Sequence, residues 1–201
     1  LRRILKDGKI PCFPKPLATA GSPMKIHDPD AYFTATEMQI ITEHLPITGN
    51  RLPELGCGDA WMTRQLAERF QPAQIIATEV DRIQHRKNLQ KDDLPEVISF
   101  AYGGAEEIDL EDASVDLVLM LKSLHHVPLE HLDRGLSEVA RVLRPGGLAY
   151  ISEPVYAGDF NNILKLFHDE EQVRQAAFDA LCRAVQSGGL ELLKQIFFNS
   201  P

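Results

Sequence analysis

Two stretches of the chain carry residue types that can do chemistry at useful spacing. The first is Glu54-Leu55-Gly56-Cys57-Gly58-Asp59-Ala60. Glycines at alternate positions let a backbone come close to a ligand, and a helix starting beyond them offers free N–H groups to negative charge. The second is Glu79, 23 residues after Gly56. A carboxylate at the end of the next strand can accept both hydroxyls of a ribose, and Asp81 competes for the role. Together they fit an adenosine-containing cofactor. The dinucleotide fingerprint needs a small residue last, where this chain has Trp61, so a nicotinamide oxidoreductase is disfavoured. His125 and His126 form a third candidate. Neighbours on a loop should point apart, and no carboxylate stands at ligand spacing, so no metal centre is expected. His126 reads as a packed loop residue. His125 reads as a proton acceptor, with Tyr32 and Tyr156 as further candidates beside the pocket.

These residues must be positioned by a strand–helix alternation that starts at residue 51. Strands are predicted over Arg51–Leu55, Gln74–Thr78, Val97–Tyr102, Val115–Met120 and Leu148–Glu153. Asp59 caps a helix with the face Met62, Leu66 and Phe70. A polar helix follows over Arg82–Gln90. Leu129, Leu132, Leu136, Val139 and Leu143 mark another, stopped by Pro145-Gly146-Gly147. Upstream, Thr34 and Glu37 form a capping box for a helix with the face Met38, Ile41 and Leu45. Pro53 inside the first strand predicts a bulge or local distortion. Beyond residue 154 the chain reads as helical from Phe160 to Val185, with a cap at Asp169 and Gln172 and a stop at Gly188-Gly189. Leu190–Phe198 reads as a sixth strand. The fold class is α/β: a doubly wound, Rossmann-like, mostly parallel sheet with helices on both faces, lacking the last strand or strands. Its strand order should reverse beside the first strand, and ligands bind at that switch point.

At these motifs the sequence resembles the class I S-adenosylmethionine-dependent methyltransferases, in the broad group acting mostly on small molecules. Glu54–Gly58 matches the family's acid-x-Gly-x-Gly loop and Glu79 its ribose acid. Gly104-Ala105-Glu106-Glu107 falls at the segment along the adenine. Val115–Val118 with Leu124–Val127 matches the fourth strand and its loop, and Arg141–Gly147 the turn into the fifth. The resemblance implies that Gly56, Cys57 and Gly58 pass beside the methionine part of S-adenosyl-L-methionine, with Glu54 orienting its ammonium group. It implies Glu79 on the ribose, Ala105 facing the adenine, Glu106 at the ring's edge, and the Leu121 carbonyl on the ammonium. Gly104 stands where the family usually has Asp, so that contact must pass to Glu106, to water or to nothing. Ala60 replaces a frequent third glycine. The implied reaction leaves S-adenosyl-L-homocysteine and a methylated N, O or C atom.

The chain has 201 residues and a net charge of −8. Six basic residues fall in 1–25, which leaves the rest at −13, a poor partner for nucleic acid. No apolar run approaches membrane-helix length. Three scattered cysteines, Cys12, Cys57 and Cys182, form no disulfide framework and suit the cytoplasm. One domain is expected: an N-terminal arm and cap helix (1–45), a cofactor-binding core (46–156), and a helical insert with a sixth strand (157–201). The N-terminal region to Leu45 and the insert from Ala157 to Val185, with Phe160, Leu164, Phe167 and Phe178, should shape the pocket of a small, partly apolar acceptor. The rival from another class is a non-catalytic module that binds the cofactor, fed by Gly104 and Pro53. The family sheet has seven strands and only three residues follow Phe198, so the chain reads as a fragment. Its last sheet edge would then pair in a homodimer or be covered by Leu190–Phe198 folded differently.

Overall fold

The computed structural model describes residues 23–157 and 169–201. Most of the basic arm, Cys12, Phe160, Leu164 and Phe167 lie outside the described residues. In chain order the elements are β1 (Phe33–Thr34), α1 (Glu37–His44), β2 (Arg51–Leu55), α2 (Trp61–Phe70), β3 (Gln74–Glu79), α3 (Arg82–Leu89), β4 (Ile98–Tyr102) and β5 (Val115–Leu121). Then come α4 (Leu132–Val142), β6 (Leu143–Ser152), α5 (Glu171–Gln186) and β7 (Phe198–Asn199). Strands β2 to β6 form one parallel sheet in the order β4-β3-β2-β5-β6. The order reverses between β2 and β5, which places the switch point there, as the alternation predicts.

Successive β5 side chains enter opposite cores. Val118 and Met120 pack with Leu136 and Val139 of α4 and Ala177 and Ala180 of α5. Leu117 and Leu119 pack with Ile41 of α1, Leu52 of β2 and Leu66 of α2. A strand buried on both faces is the rule for parallel sheets covered by helices. Among the described residues, no helix is long and apolar enough to cross a membrane.

Pro53 distorts the sheet on one side only. Along β2, alternate N–H groups face opposite neighbours. The Arg51 N–H donates to the Asp116 carboxylate at the foot of β5 (2.7 Å), and the Gly56 N–H donates to the Thr78 carbonyl at the head of β3 (3.0 Å). Pro53 shares the side of Arg51, so its missing donor faces β5. There β2 pairs only at Glu54–Leu119, while the β3 register runs unbroken from Arg51–Gln74 to Leu55–Thr78. No bulge forms on β2.

Several expected boundaries shift for physical reasons. The capping box is Thr36 with Gln39, not Thr34 with Glu37. Thr34 pairs in β1, and the Glu37 carboxylate instead accepts the hydroxyls of Tyr150 (2.5 Å) and Ser152 (2.9 Å). Asp59 bonds the Trp61 N–H (3.1 Å), but the N-cap position itself is Ala60. Helix α4 ends at Val142, and Pro145–Gly147 lies inside β6, where pairing jumps from Val115–Leu143 to Leu117–Leu148. The Arg144–Asp116 ion pair (2.6 Å) spans that irregularity. Leu190–Phe198 is not a sixth strand. Its apolar residues do not alternate: Leu190 joins the core beside α5, and among the described residues the strand in this stretch is the short Phe198–Asn199, which pairs parallel to β1 in a separate two-stranded sheet.

Candidate functional site

The loop after β2 holds three left-handed residues in five: Gly56 (φ +75°), Gly58 (φ +56°) and Ala60 (φ +59°). The Gly56 and Cys57 N–H groups both donate to the Thr78 carbonyl (3.0 and 2.9 Å), tying the loop to the end of β3. The Asn88 amide on α3 donates to the Gly58 carbonyl (2.7 Å). The two glycines differ in surroundings. A Cβ on Gly56 would sit 2.7 Å from Ser123 Cβ, whereas a Cβ on Gly58 would meet nothing within 4 Å. Gly56 is therefore bare because Ser123 packs on it, and Gly58 borders open space. The Cys57 side chain turns inward, against Ala60 and Ala77. Burial pushes its thiol up to about 12.

The two competing acids separate. Asp81 is the N-cap of α3 and accepts from the Ile83 and Gln84 N–H groups (2.7 and 3.3 Å). The Glu79 carboxylate accepts from the Gly58 N–H (2.8 Å) and from Val80 and Asp81 (2.8 and 2.9 Å). Glu79 thus bridges the glycine loop and the end of β3. Glu54 is buried beneath the loop and accepts the Thr63 hydroxyl of α2 (2.6 Å). Burial raises its carboxyl to about 7, against the opposing pull of that hydrogen bond.

The segment after β4 closes the same end of the sheet. The Gly103 N–H donates to the Glu79 carbonyl (3.3 Å). Ala105 is buried against Gly135 of α4, and the Ile108 N–H is held by Glu138 (3.0 Å), itself clamped by Arg141. The Glu106 carboxylate folds back into the space where a Cβ on Gly104 would stand. It occupies the place that the substitution at 104 vacates. Val80, beside Glu79, and Tyr102, its partner on β4, are exposed apolar side chains. Sequence reading passed over both, because an exposed apolar residue gains meaning only from the strand ends it stands beside.

At the far side of the switch point, Leu121 ends β5, Lys122 takes φ +57°, and the Ser123 hydroxyl donates to the Leu55 carbonyl (2.7 Å). A 3₁₀ turn follows over Leu124–His126. It corrects the expectation for the two histidines: their rings lie 4.1 Å apart rather than apart on the loop. His125 is the buried one and His126 is exposed. His125 Nδ1 lies 2.5 Å from the Glu153 carboxylate, whose other oxygen accepts the Leu124 N–H (2.8 Å). With Nδ1 donating to Glu153, a neutral ring has its lone pair on Nε2. Glu153 was missed, since only the β5–β6 pairing brings it near a residue 28 positions earlier. Among the described residues, no three His, Cys, Asp or Glu side chains gather to hold a metal.

A cavity of about 520 Å³ opens beside this turn. Lys122, Ser152 and Glu153 line it at the strand ends, Tyr32 and Glu37 from the N-terminal side, and Phe197 from the C-terminal side. The N-terminal region forms one wall of this cavity. Of the described part of the insert only Ala157 lines it. Helix α5 packs on α4 instead, and the segment Ile196–Ser200 supplies the wall predicted for it. Phe178 is half-buried on α5.

Residues 53–151 match the family described as a methyltransferase domain. A phthiotriol/phenolphthiotriol dimycocerosates methyltransferase of Mycobacterium ulcerans is 35% identical over 104 residues, 52% of this chain and 37% of the relative. Its counterpart in Mycobacterium leprae is 30% identical over 136 residues, 67% of this chain and 47% of the relative. The chain spans less than half the length of these curated relatives. Among solved structures, the complex between the Haloferax volcanii Trm112 methyltransferase activator and a protein assigned as a methyltransferase matches with TM-score 0.55. The identity is 19%, over 72% of this chain and 66% of that one. The [4+2]-cyclase SpnF matches with TM-score 0.54 and 22% identity, over 69% of this chain and 56% of that one. At these identities the structural likeness speaks for the fold alone.

Proposed function

Because this chain belongs to the class I S-adenosylmethionine-dependent methyltransferases, we propose that it moves a methyl group from S-adenosyl-L-methionine to an N, O or C atom of a small, partly apolar acceptor. The observation that carries this reading is the Glu79 bridge to the glycine loop at the switch point, beside open space at Gly58. A fold shared with a cyclase does not choose a reaction, so the site must.

The residues fit the cofactor. Gly56, Cys57 and Gly58 supply backbone beside its methionine part. Glu79 Oε2 accepts one backbone N–H and keeps capacity for a ribose hydroxyl. Ala105 and Glu106 take the adenine, with the Glu106 carboxylate standing over Gly104, and Val80 gives apolar surface. Glu54 and the Leu121 carbonyl serve the ammonium group. The bound cofactor supplies a methyl group already activated by a positive sulfur. The protein's own work is then alignment and exclusion of water. Where the acceptor must lose a proton, the Glu153–His125 pair receives it: Glu153 lines the cavity and the buried His125 ring, bonded to its carboxylate, stands behind it.

The cavity beyond β5 and β6 is the acceptor pocket. Ser123 packs on Gly56 and Lys122 lines the cavity, so consecutive residues join it to the glycine loop. The mycobacterial relatives are named for phthiotriols, and a hydroxyl is one acceptor such a pocket can take. We further read residues 46–156 as the core, with 1–45 and 157–201 as additions to the same domain, the cytoplasm as the compartment, and β6 as an edge through which two copies can pair.

Calorimetric titration with S-adenosylhomocysteine tests the cofactor site. Mass spectrometry for products that gain one methyl group, over an acceptor library, tests the reaction. Binding with no product on any acceptor favours the non-catalytic module. No binding overturns the reading.

A further inference from the structure

The acceptor cavity has walls of two kinds. Tyr32, Phe197 and Phe198 give it ring surface, with the Tyr32 and Phe197 rings tilted at 47° and centred 5.3 Å apart. Glu37, Glu153 and Lys122 give it charge. The charges are not equivalent. Both carboxylates are half-buried, whereas Lys122 is exposed. A solvated ammonium is screened, and a partly desolvated carboxylate much less so.

Each carboxylate is also fixed in place. Glu37 is held by the Tyr150 and Ser152 hydroxyls, and Glu153 by the Leu124 N–H and the His125 ring. A carboxylate has about four acceptor sites, so two donors leave each able to take another. Aromatic faces carry negative quadrupole and attract cations within about 6 Å, most strongly where water is excluded. His27 lines the same cavity with its Nδ1 on the Tyr32 hydroxyl (3.0 Å), and adds ring surface.

We propose that this cavity selects an organic ammonium with an apolar body, Glu37 and Glu153 facing the nitrogen and the Tyr32–Phe197–Phe198 rings facing the carbon skeleton. The reaction's acceptor is then an amine: the bound ammonium gives one proton to Glu153, which lines the cavity with His125 behind it, and the freed nitrogen lone pair forms the N–CH3 bond as the methyl–sulfur bond breaks. The acceptor role rests on the methyl-transfer reading above; the charge preference of the cavity does not.

The test uses three probes of similar shape: N-methylphenethylamine, 3-phenylpropan-1-ol and 3-phenylpropanoate. Each is titrated calorimetrically into the whole chain, with S-adenosylhomocysteine titrated into the same preparation. The expected result is at least tenfold tighter binding of the amine than of the alcohol, with the carboxylate weakest. Glu37→Gln should reduce the amine's advantage to within about threefold and leave S-adenosylhomocysteine affinity unchanged. Equal binding of the three probes, or the alcohol or carboxylate first, overturns the proposal. The ranking on the unaltered chain decides the matter even if Glu37→Gln does not fold. S-adenosylhomocysteine binding without amine preference sinks the ammonium pocket and leaves the methyl-transfer reading standing. Amine preference without S-adenosylhomocysteine binding does the reverse.

Discussion

Replacing Gly56 by alanine adds one methyl group at a place where two costs meet. The residue sits at φ +75°, a left-handed conformation that costs a residue with a Cβ about 1–2 kcal/mol. The new methyl also stands 2.7 Å from Ser123 Cβ and 3.3 Å from its hydroxyl, and overpacking of this kind costs about 1–3 kcal/mol. The lower entropy of the unfolded chain returns about 0.4–1 kcal/mol. The net expectation is a loss of about 1–4.5 kcal/mol. Gly58→Ala carries only the conformational cost, about 1 kcal/mol net, because nothing lies within 4 Å of its new atom. Ser123→Gly removes the other side of the overlap along with the bond to the Leu55 carbonyl, itself about 0.5–1.5 kcal/mol. Urea unfolding of the two single variants and the double variant Gly56→Ala/Ser123→Gly should then show a favourable coupling of about 1–3 kcal/mol. Cofactor binding should rank the other way. Gly58→Leu keeps the fold and abolishes S-adenosylhomocysteine binding in calorimetry, since its side chain enters the space assigned to the cofactor. Zero coupling between positions 56 and 123 would refute the packing account. Normal binding by Gly58→Leu would refute the site.

The other expectations test single groups. Glu79→Ala should weaken S-adenosylhomocysteine binding by about 1.5–3 kcal/mol, whereas Asp81→Ala should cost about 1 kcal/mol of stability through its lost cap and leave the affinity nearly intact; the reverse ranking in calorimetry contradicts both assignments. Glu54 holds its proton in the fold up to about 7 but loses it in the unfolded chain near 4.5. Within that window the folded state binds more protons, so stability falls as pH rises from about 4.5 to about 7, by about 3 kcal/mol at most. Glu54→Gln should remove this fall, and parallel pH–stability curves for the two proteins would exclude it. For an acceptor that must lose a proton, His125→Gln should lower kcat by about 10²–10⁴ with unchanged S-adenosylhomocysteine affinity; an unchanged kcat would leave His125 a packing residue.

What the sequence made legible is what strand ends display locally. The glycine loop and Glu79 lie at the carboxyl ends of adjacent parallel strands, so their spacing along the chain already encodes their meeting in space. Glu79 and Asp81 looked equivalent because only the start of α3 tells them apart: a carboxylate bonded to the N–H groups of a helix's second and third residues, here Ile83 and Gln84, is committed as its cap. Thr34 and Thr36 were ambiguous for a similar reason. Both precede an acid or amide by three residues, and the choice fell to Thr36 because Glu37 bonds Tyr150 and Ser152, more than 110 residues away. The cavity proposed for the acceptor was legible only in part: Tyr32 stood out as a candidate beside the pocket, whereas Glu153 and Phe197 did not. Its walls come from three stretches, near Tyr32, Glu153 and Phe197, that no periodicity links. The His125–Glu153 pair exists only because β6 lies beside β5 in register, Leu121 opposite Ser152, so that the residues just past the two strand ends meet. Cofactor-side contacts follow from motifs within single strand–loop–helix units, whereas acceptor-side contacts depend on how the chain's ends return to the sheet. Substitutions in the N- and C-terminal walls should therefore change the acceptor preference while the glycine loop and Glu79 go on binding the same cofactor product, separable by calorimetry on one sample.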